Sequence, residues 1–266
     1  MPSTDKNLQV TRFLEYSAEL SSKLLKRDEV IGLVFVGSTA EISRVDEWSD
    51  HDFFVVTQSG SAEKLRQDLS WLPRHKEIAI SPRETAHGLK IIYQDGQVLE
   101  FAIFDDQELE IVTVNSYSIA FDKTNITERM AVIASTPRPH QFNADIEFQL
   151  FLSQILIGVG RARRGELLSA GQFINSFAMN HALGLIRSWL APIAGRESAE
   201  DDLNRFRRVE FQYPEIGSAL IAIQQMDIES AAKELLRIIK LHGGDHLSER
   251  QQSQIKVVTD RLDWEL

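Results

Sequence analysis

The sequence predicts an α+β chain: a mixed sheet with flanking helices over residues 1–136, followed by an all-helical bundle over 137–266. Three observations carry this. Short apolar runs with strand-like alternation end at Phe121. Long runs with helical spacing dominate everything after His140. Between them, Ser135-Thr136-Pro137-Arg138-Pro139-His140 places two prolines in three residues, which breaks any regular element and marks a domain boundary.

The elements follow in order. From Asp5 to Lys26, apolar residues at Leu8, Phe13, Leu14, Leu20, Leu24 and Leu25 suit an amphipathic helix. Val30 to Val36 and Asp52 to Thr57 read as strands. Ser59-Gly60-Ser61 opens a short helix that runs through Leu69 and stops before Pro73. Glu77 to Ile80 alternates in polarity, and Leu89 to Tyr93 is joined to Val98 to Phe104 through Asp95-Gly96, a hairpin-turn signal. Ser118 to Phe121 adds a short strand and Glu128 to Ala134 a helix. In the second half, helical runs cover Phe142 to Arg163, Leu167 to Leu190, Pro214 to Gln225, Ile228 to Leu241 and Leu247 to Leu262, with Arg164-Gly165 separating the first two.

The chemistry concentrates in two segments. Val34-Phe35-Val36 leads into Gly37-Ser38, and Asp50-His51-Asp52 leads into Phe53-Phe54-Val55-Val56. Side chains alternate along a strand, so Asp50 and Asp52 share a side and His51 takes the other. Two carboxylates held close repel one another unless a cation lies between them, and hard divalent ions take such oxygen pairs together with substrate phosphates. Glycine lets a phosphate approach the backbone, and the serine hydroxyl and local N–H groups donate to its oxygens. A further carboxylate, Glu100, sits within the apolar strand Val98 to Phe104, either at an edge facing water or with a task of its own; Asp95 lies in a turn and Asp105 past the strand end.

This pattern resembles the nucleotidyltransferase superfamily that includes the polymerase-β-like enzymes: an apolar strand, Gly-Ser, a short spacer, Asp-x-Asp opening a second strand, and a third carboxylate on a later one. Trp48-Ser49-Asp50 and Glu100-Phe101 look most like the small bacterial lincosamide and aminoglycoside nucleotidyltransferases. Arg164-Gly165-Glu166 and Arg207-Arg208-Val209-Glu210, followed by Tyr213-Pro214, look like looser patterns of their helical domain. The resemblance implies a catalytic domain at 1–136 and a helical domain at 137–266 forming the acceptor side of a cleft. It implies Asp50, Asp52 and Glu100 as catalytic residues and Mg²⁺ ligands, and Gly37 and Ser38 as triphosphate contacts. The expected reaction is transfer of AMP from ATP to a hydroxyl of a small molecule, with lincosamides and aminoglycosides as the implied acceptors and pyrophosphate as the product. A protein-adenylylating, antitoxin-like enzyme and a non-catalytic nucleotide-binding regulator are the alternatives.

Other polar residues have plainer readings. His51, opposite the acidic pair, reads as structural or as a partner supporting the ligands from behind, rather than as a ligand itself. His242 and His246 have helical spacing, but Gly243-Gly244 interrupts it, and a helix-ending loop explains them better than a metal site. The Arg161, Arg163 and Arg164 cluster reads either as a reach to triphosphate oxygens, with Arg164 as the nucleotide contact, or as a solvated helix end. Glu166 reads as an ordinary helix-start glutamate.

Bulk properties bound these readings. With 266 residues and 43% hydrophobic content the chain has ample material for a core. A net charge of −10 disfavours a nucleic-acid substrate, whose binding rests on Lys and Arg neutralising phosphates, and suits a cationic small molecule. The absence of cysteine excludes disulfides, thiolate nucleophiles and Cys-based zinc sites. No secretory pattern opens the sequence and no apolar run is long enough to span a bilayer, so a cytoplasmic protein is expected. The helical tail leaves a homodimer open.

Overall fold

A computed structural model describes residues 3–136, 142–196, 201 and 203–265. The chain is α+β and divides into two compact units, Met1–Pro137 and Arg138–Leu266. Much of the proline-bearing boundary segment, 137–140, lies outside the described residues.

The first unit runs α1 (Ser3–Leu25), β1 (Val30–Val36), α2 (Gly37–Ala40), β2 (His51–Thr57), α3 (Ala62–Gln67), β3 (Ile78–Ile80), β4 (Gly88–Tyr93), β5 (Val98–Asp105), β6 (Tyr117–Asp122) and α4 (Ile126–Ser135). The six strands form one sheet in the order β3-β4-β5-β2-β1-β6. Only β2 and β5 pair in parallel; the other neighbours are antiparallel.

Strand alternation divides the sheet's side chains between two cores. On one face Leu33, Phe53, Val55, Leu99, Phe101 and Ile103 pack with Tyr16, Leu20 and Leu24 of α1, and with Leu65 and Trp71. On the other, Val34, Val56 and Phe104 pack with Ile126 and Met130 of α4 and with Leu109. Both faces of β1 are therefore covered, which is why it reads as an unbroken apolar run. The buried stripe of α1 is Phe13, Tyr16, Leu20 and Leu24, whereas Leu8, Leu14 and Leu25 are exposed. The sheet selects one helical stripe, and apolar spacing alone over-counted it.

The β4–β5 connection fixes a register that matters for the site. Gly96 adopts φ +87°, the Tyr93 carbonyl accepts from Gly96 N–H, and the Gln97 carbonyl accepts from Tyr93 N–H. The loop is thus Gln94-Asp95-Gly96, with the glycine in the left-handed position typical of three-residue hairpin loops. In this register Lys90 lies opposite Glu100. A loop one residue shorter would turn the opposing side chains to the other face.

The second unit is helical: α5 (Ala144–Arg163), α6 (Leu167–Gly171), a π-helical segment Gln172–Ala178, α7 (Met179–Trp189), α8 (Val209–Gln212), α9 (Pro214–Ile223), α10 (Ile228–Gly243) and α11 (Glu249–Leu262). Side-chain caps start three of them. Asn143 accepts from Ile146 N–H, Asp227 from Glu229 and Ser230 N–H, and Ser248 forms a capping box with Gln251. The core gathers Phe148, Phe151, Ile155, Ile174, Leu235 and Ile255. At Gly158 a Cβ would approach Ile174 Cδ1 to 2.6 Å, so glycine permits the close packing of α5 on the π-helical segment. The run expected as one helix, Leu167 to Leu190, is continuous but widens in that segment, an insertion that apolar spacing does not register. Among the described residues, no helix is long and apolar enough to cross a membrane.

Candidate functional site

The parallel pairing of β2 with β5 places Asp52 opposite Glu100, and Asp50 immediately precedes β2. Asp50, Asp52 and Glu100 each offer a carboxylate oxygen within 4.8 Å of the others, and all three are half-buried. Among the described residues this is the one group of three or more acidic, histidine or cysteine side chains so arranged. Ligand oxygens held at about 2.0–2.1 Å around a small divalent ion lie roughly 3–4 Å apart, so modest rotamer adjustment lets this donor set close on one hard cation. Oxygen-only donors suit such an ion better than a soft metal.

Gly37 has a sharper role than the one read from sequence. It adopts φ +57°, and a Cβ there would lie 2.5 Å from Asp52 Oδ2. The room it makes is occupied by the Asp52 carboxylate itself. Ser38 Oγ donates to the Asp50 carbonyl at 3.4 Å, and Ser116 Oγ donates to the Gly37 carbonyl at 3.5 Å. The turn is therefore tied both to the acidic segment and to the chain entering β6.

Thr39, which sequence reasoning passed over, is the buried clamp of the site. Its hydroxyl oxygen accepts from Asp52 N–H at 2.8 Å while its hydroxyl donates to the Asp50 carbonyl at 3.5 Å. One side chain thus spans the Asp50–Asp52 backbone. No sequence signal distinguished it, because hydroxyl residues are ordinary in turns. Lys90 was missed as well: its ammonium lies 3.0 Å from Glu100 Oε1. Hairpin register, which strand alternation alone does not supply, would have found it.

His51 faces the other side of the sheet, as alternation predicts. It is buried, stacked on Phe13 with ring centroids 3.7 Å apart, and bonded at both nitrogens. Nε2–H donates to the Phe13 carbonyl at 3.1 Å, and Nδ1 accepts from Gln97 Nε2 at 3.2 Å. Burial pushes its pKa down to about 4, against a smaller upward pull from the Phe13 carbonyl. The folded state thus binds this proton less readily than the unfolded chain does. The stability His51 contributes is complete above its ordinary pKa near 6.5 and is lost as pH falls from there towards 4. The loss amounts to about 3 kcal/mol. Melting wild type and His51→Gln between pH 7 and pH 4.5 checks this: the wild-type acid limb is expected to be the steeper, and parallel limbs would refute the assignment.

The remaining sequence candidates take other places. Asp105 caps a turn, accepting from Thr57 Oγ1 and from Ser61 and Ala62 N–H. Asp95 pairs with Arg74 at 2.8 Å. His246 stacks against Trp189. In the helical unit, Arg164 Nε donates to Glu166 Oε1 at 2.8 Å, Arg161 lies over the Phe173 ring, and Arg163 pairs with Glu229.

No family model and no curated sequence matches the chain. Solved structures do. A nucleotidyltransferase-like protein from Exiguobacterium sibiricum is 14% identical, with 93% of this chain and 88% of that chain covered and a TM-score of 0.38. An aminoglycoside 6-adenyltransferase from Bacillus subtilis is 13% identical, with 94% and 91% covered and a TM-score of 0.34. The CD-NTase CdnG of Bradyrhizobium diazoefficiens, in complex with GTP, is 15% identical, with 97% and 94% covered and a TM-score of 0.31. Likeness at this level carries no weight for activity, which must be read from the carboxylate geometry.

Proposed function

We propose that this chain transfers a nucleoside monophosphate, AMP from ATP, to a hydroxyl of a small molecule and releases pyrophosphate. The observation that supports this most is the convergence of Asp50, Asp52 and Glu100 within 4.8 Å, beside a Gly-Ser turn tied to the same segment. Asp50, Asp52 and Glu100 would together hold Mg²⁺, which would supply charge neutralisation on the triphosphate.

The chain's own groups carry the rest. Thr39 fixes the backbone that carries Asp50 and Asp52. Gly37 and Ser38 take the β- and γ-phosphates. Glu100 accepts the proton of the attacking hydroxyl as its oxygen bonds to the α-phosphorus and the bond from that phosphorus to the bridging oxygen breaks. The leaving oxygen departs with pyrophosphate. Acidic overall charge supports cationic acceptors such as aminoglycosides.

The test is a pyrophosphate-release screen across nucleoside triphosphates and hydroxylated acceptors, with aminoglycosides and lincosamides among them. Silence across the panel, from folded protein in Mg²⁺, counts against the reading. Glu100→Gln separates roles within it. Magnesium–nucleotide binding is expected to persist while turnover falls about 10²–10⁴-fold. Loss of nucleotide binding instead would make Glu100 chiefly a metal ligand.

A further inference from the structure

Three side chains stand in register across neighbouring strands: Asp52 on β2, Glu100 on β5 and Lys90 on β4. The Lys90 ammonium lies 3.0 Å from Glu100 Oε1 and also 3.0 Å from Glu84 Oε1. Glu100 belongs to the carboxylate trio, whereas Glu84 does not. Lys90 therefore bridges the site to an acid outside it.

The segment carrying Glu84 is tied back on itself and onto β4. The Gly88 carbonyl accepts from Glu84 N–H at 2.9 Å, Gly88 N–H donates to Thr85 Oγ1 at 2.8 Å, and Lys90 N–H donates to the Pro82 carbonyl at 3.1 Å. Glu84 is thus kept beside Lys90 by backbone bonds as well as by charge. An ammonium has three donors and a flexible four-carbon stem, so it can release one carboxylate and retain the other. An oxygen that accepts from an ammonium is not equally available to a divalent cation, and the two positive charges repel one another at this range.

From this geometry we infer that Lys90 is a positioning residue that holds Glu100 while the site lacks a metal and withdraws to Glu84 when a divalent ion engages Glu100, so that the Glu84–Lys90 pair sets the site's divalent-metal affinity. The inference rests on the metal-binding role given to the trio in the proposed function. It predicts opposite effects from the two partners. Removing the ammonium frees Glu100 for the ion. Removing Glu84 leaves the ammonium with Glu100 alone.

The test is direct Mn²⁺ binding to the full chain, followed by electron paramagnetic resonance of the free ion, with thermal melts confirming that each variant is folded. Lys90→Met is expected to bind Mn²⁺ about tenfold more tightly than wild type. Lys90→Arg, which keeps the charge, is expected to stay near wild type, and Glu84→Gln to bind several-fold more weakly. Unchanged affinity in both Lys90→Met and Glu84→Gln, or a shift of both in one direction, overturns the inference while leaving the metal site standing. A wild-type chain that takes up no Mn²⁺, with or without a non-hydrolysable ATP analogue, removes the trio's metal role and this inference with it.

Discussion

Asp52→Asn lowers turnover of magnesium–nucleoside triphosphate by on the order of 10³-fold or more, with the fold intact. The metal's stabilisation of transition-state charge is worth several kcal/mol, and each 1.4 kcal/mol or so is a factor of ten. Asparagine has the same shape and keeps the backbone N–H that donates to Thr39 Oγ1, so the β2 entry is expected to stay in place. What changes is charge: one of three carboxylates whose oxygens lie within 4.8 Å of one another becomes neutral. Mutual repulsion within the trio is relieved, so the melting temperature is expected to hold or rise slightly. Pyrophosphate release measured beside a thermal melt separates the two effects. Turnover within a few-fold of wild type would remove Asp52 from the chemistry.

Gly37→Ala should damage both stability and turnover, and for separable reasons. The backbone there is at φ +57°, where a side chain costs about 1–2 kcal/mol. The added Cβ would also meet Asp52 Oδ2 at 2.5 Å, so the carboxylate must move away. Misplacing a reacting group by about 1 Å can cost roughly 10²-fold in rate, and a loss of at least that size is expected. Gly60→Ala supplies the control, since Gly60 also has positive φ, +81°, but nothing lies within 4 Å of its would-be Cβ. Both variants should lose melting temperature, and only Gly37→Ala should lose turnover. Equal turnover in the two would show that the close approach to Asp52 is catalytically idle.

Much of this is legible in the sequence. Strand alternation put His51 opposite Asp50 and Asp52 and marked it as structural, and the fold places it in an aromatic pocket with both nitrogens bonded. Glu100 sits mid-strand, where the family resemblance expects a third carboxylate, and the sheet brings it to the other two, whereas Asp95 serves a turn and Asp105 a cap. Gly37 has a neighbour that its sequence pattern does not name. A glycine announces that something approaches closely, and only the fold reveals that the Asp52 carboxylate does so.

Local sequence suffices for the α+β class, the extents of most strands and helices, and the side of β2 that each residue takes, because these depend on periodicities of two and 3.6 among residues close in the chain. Tertiary structure decided which strands pair and in what register: the parallel β2–β5 pairing that sets Asp52 against Glu100, the three-residue hairpin loop that sets Lys90 against Glu100, and the Thr39 clamp across the acidic segment. Those contacts join residues distant in sequence. A one-residue slip would reverse the faces of a strand without disturbing its local pattern, so only the packing of the whole sheet could choose between the two.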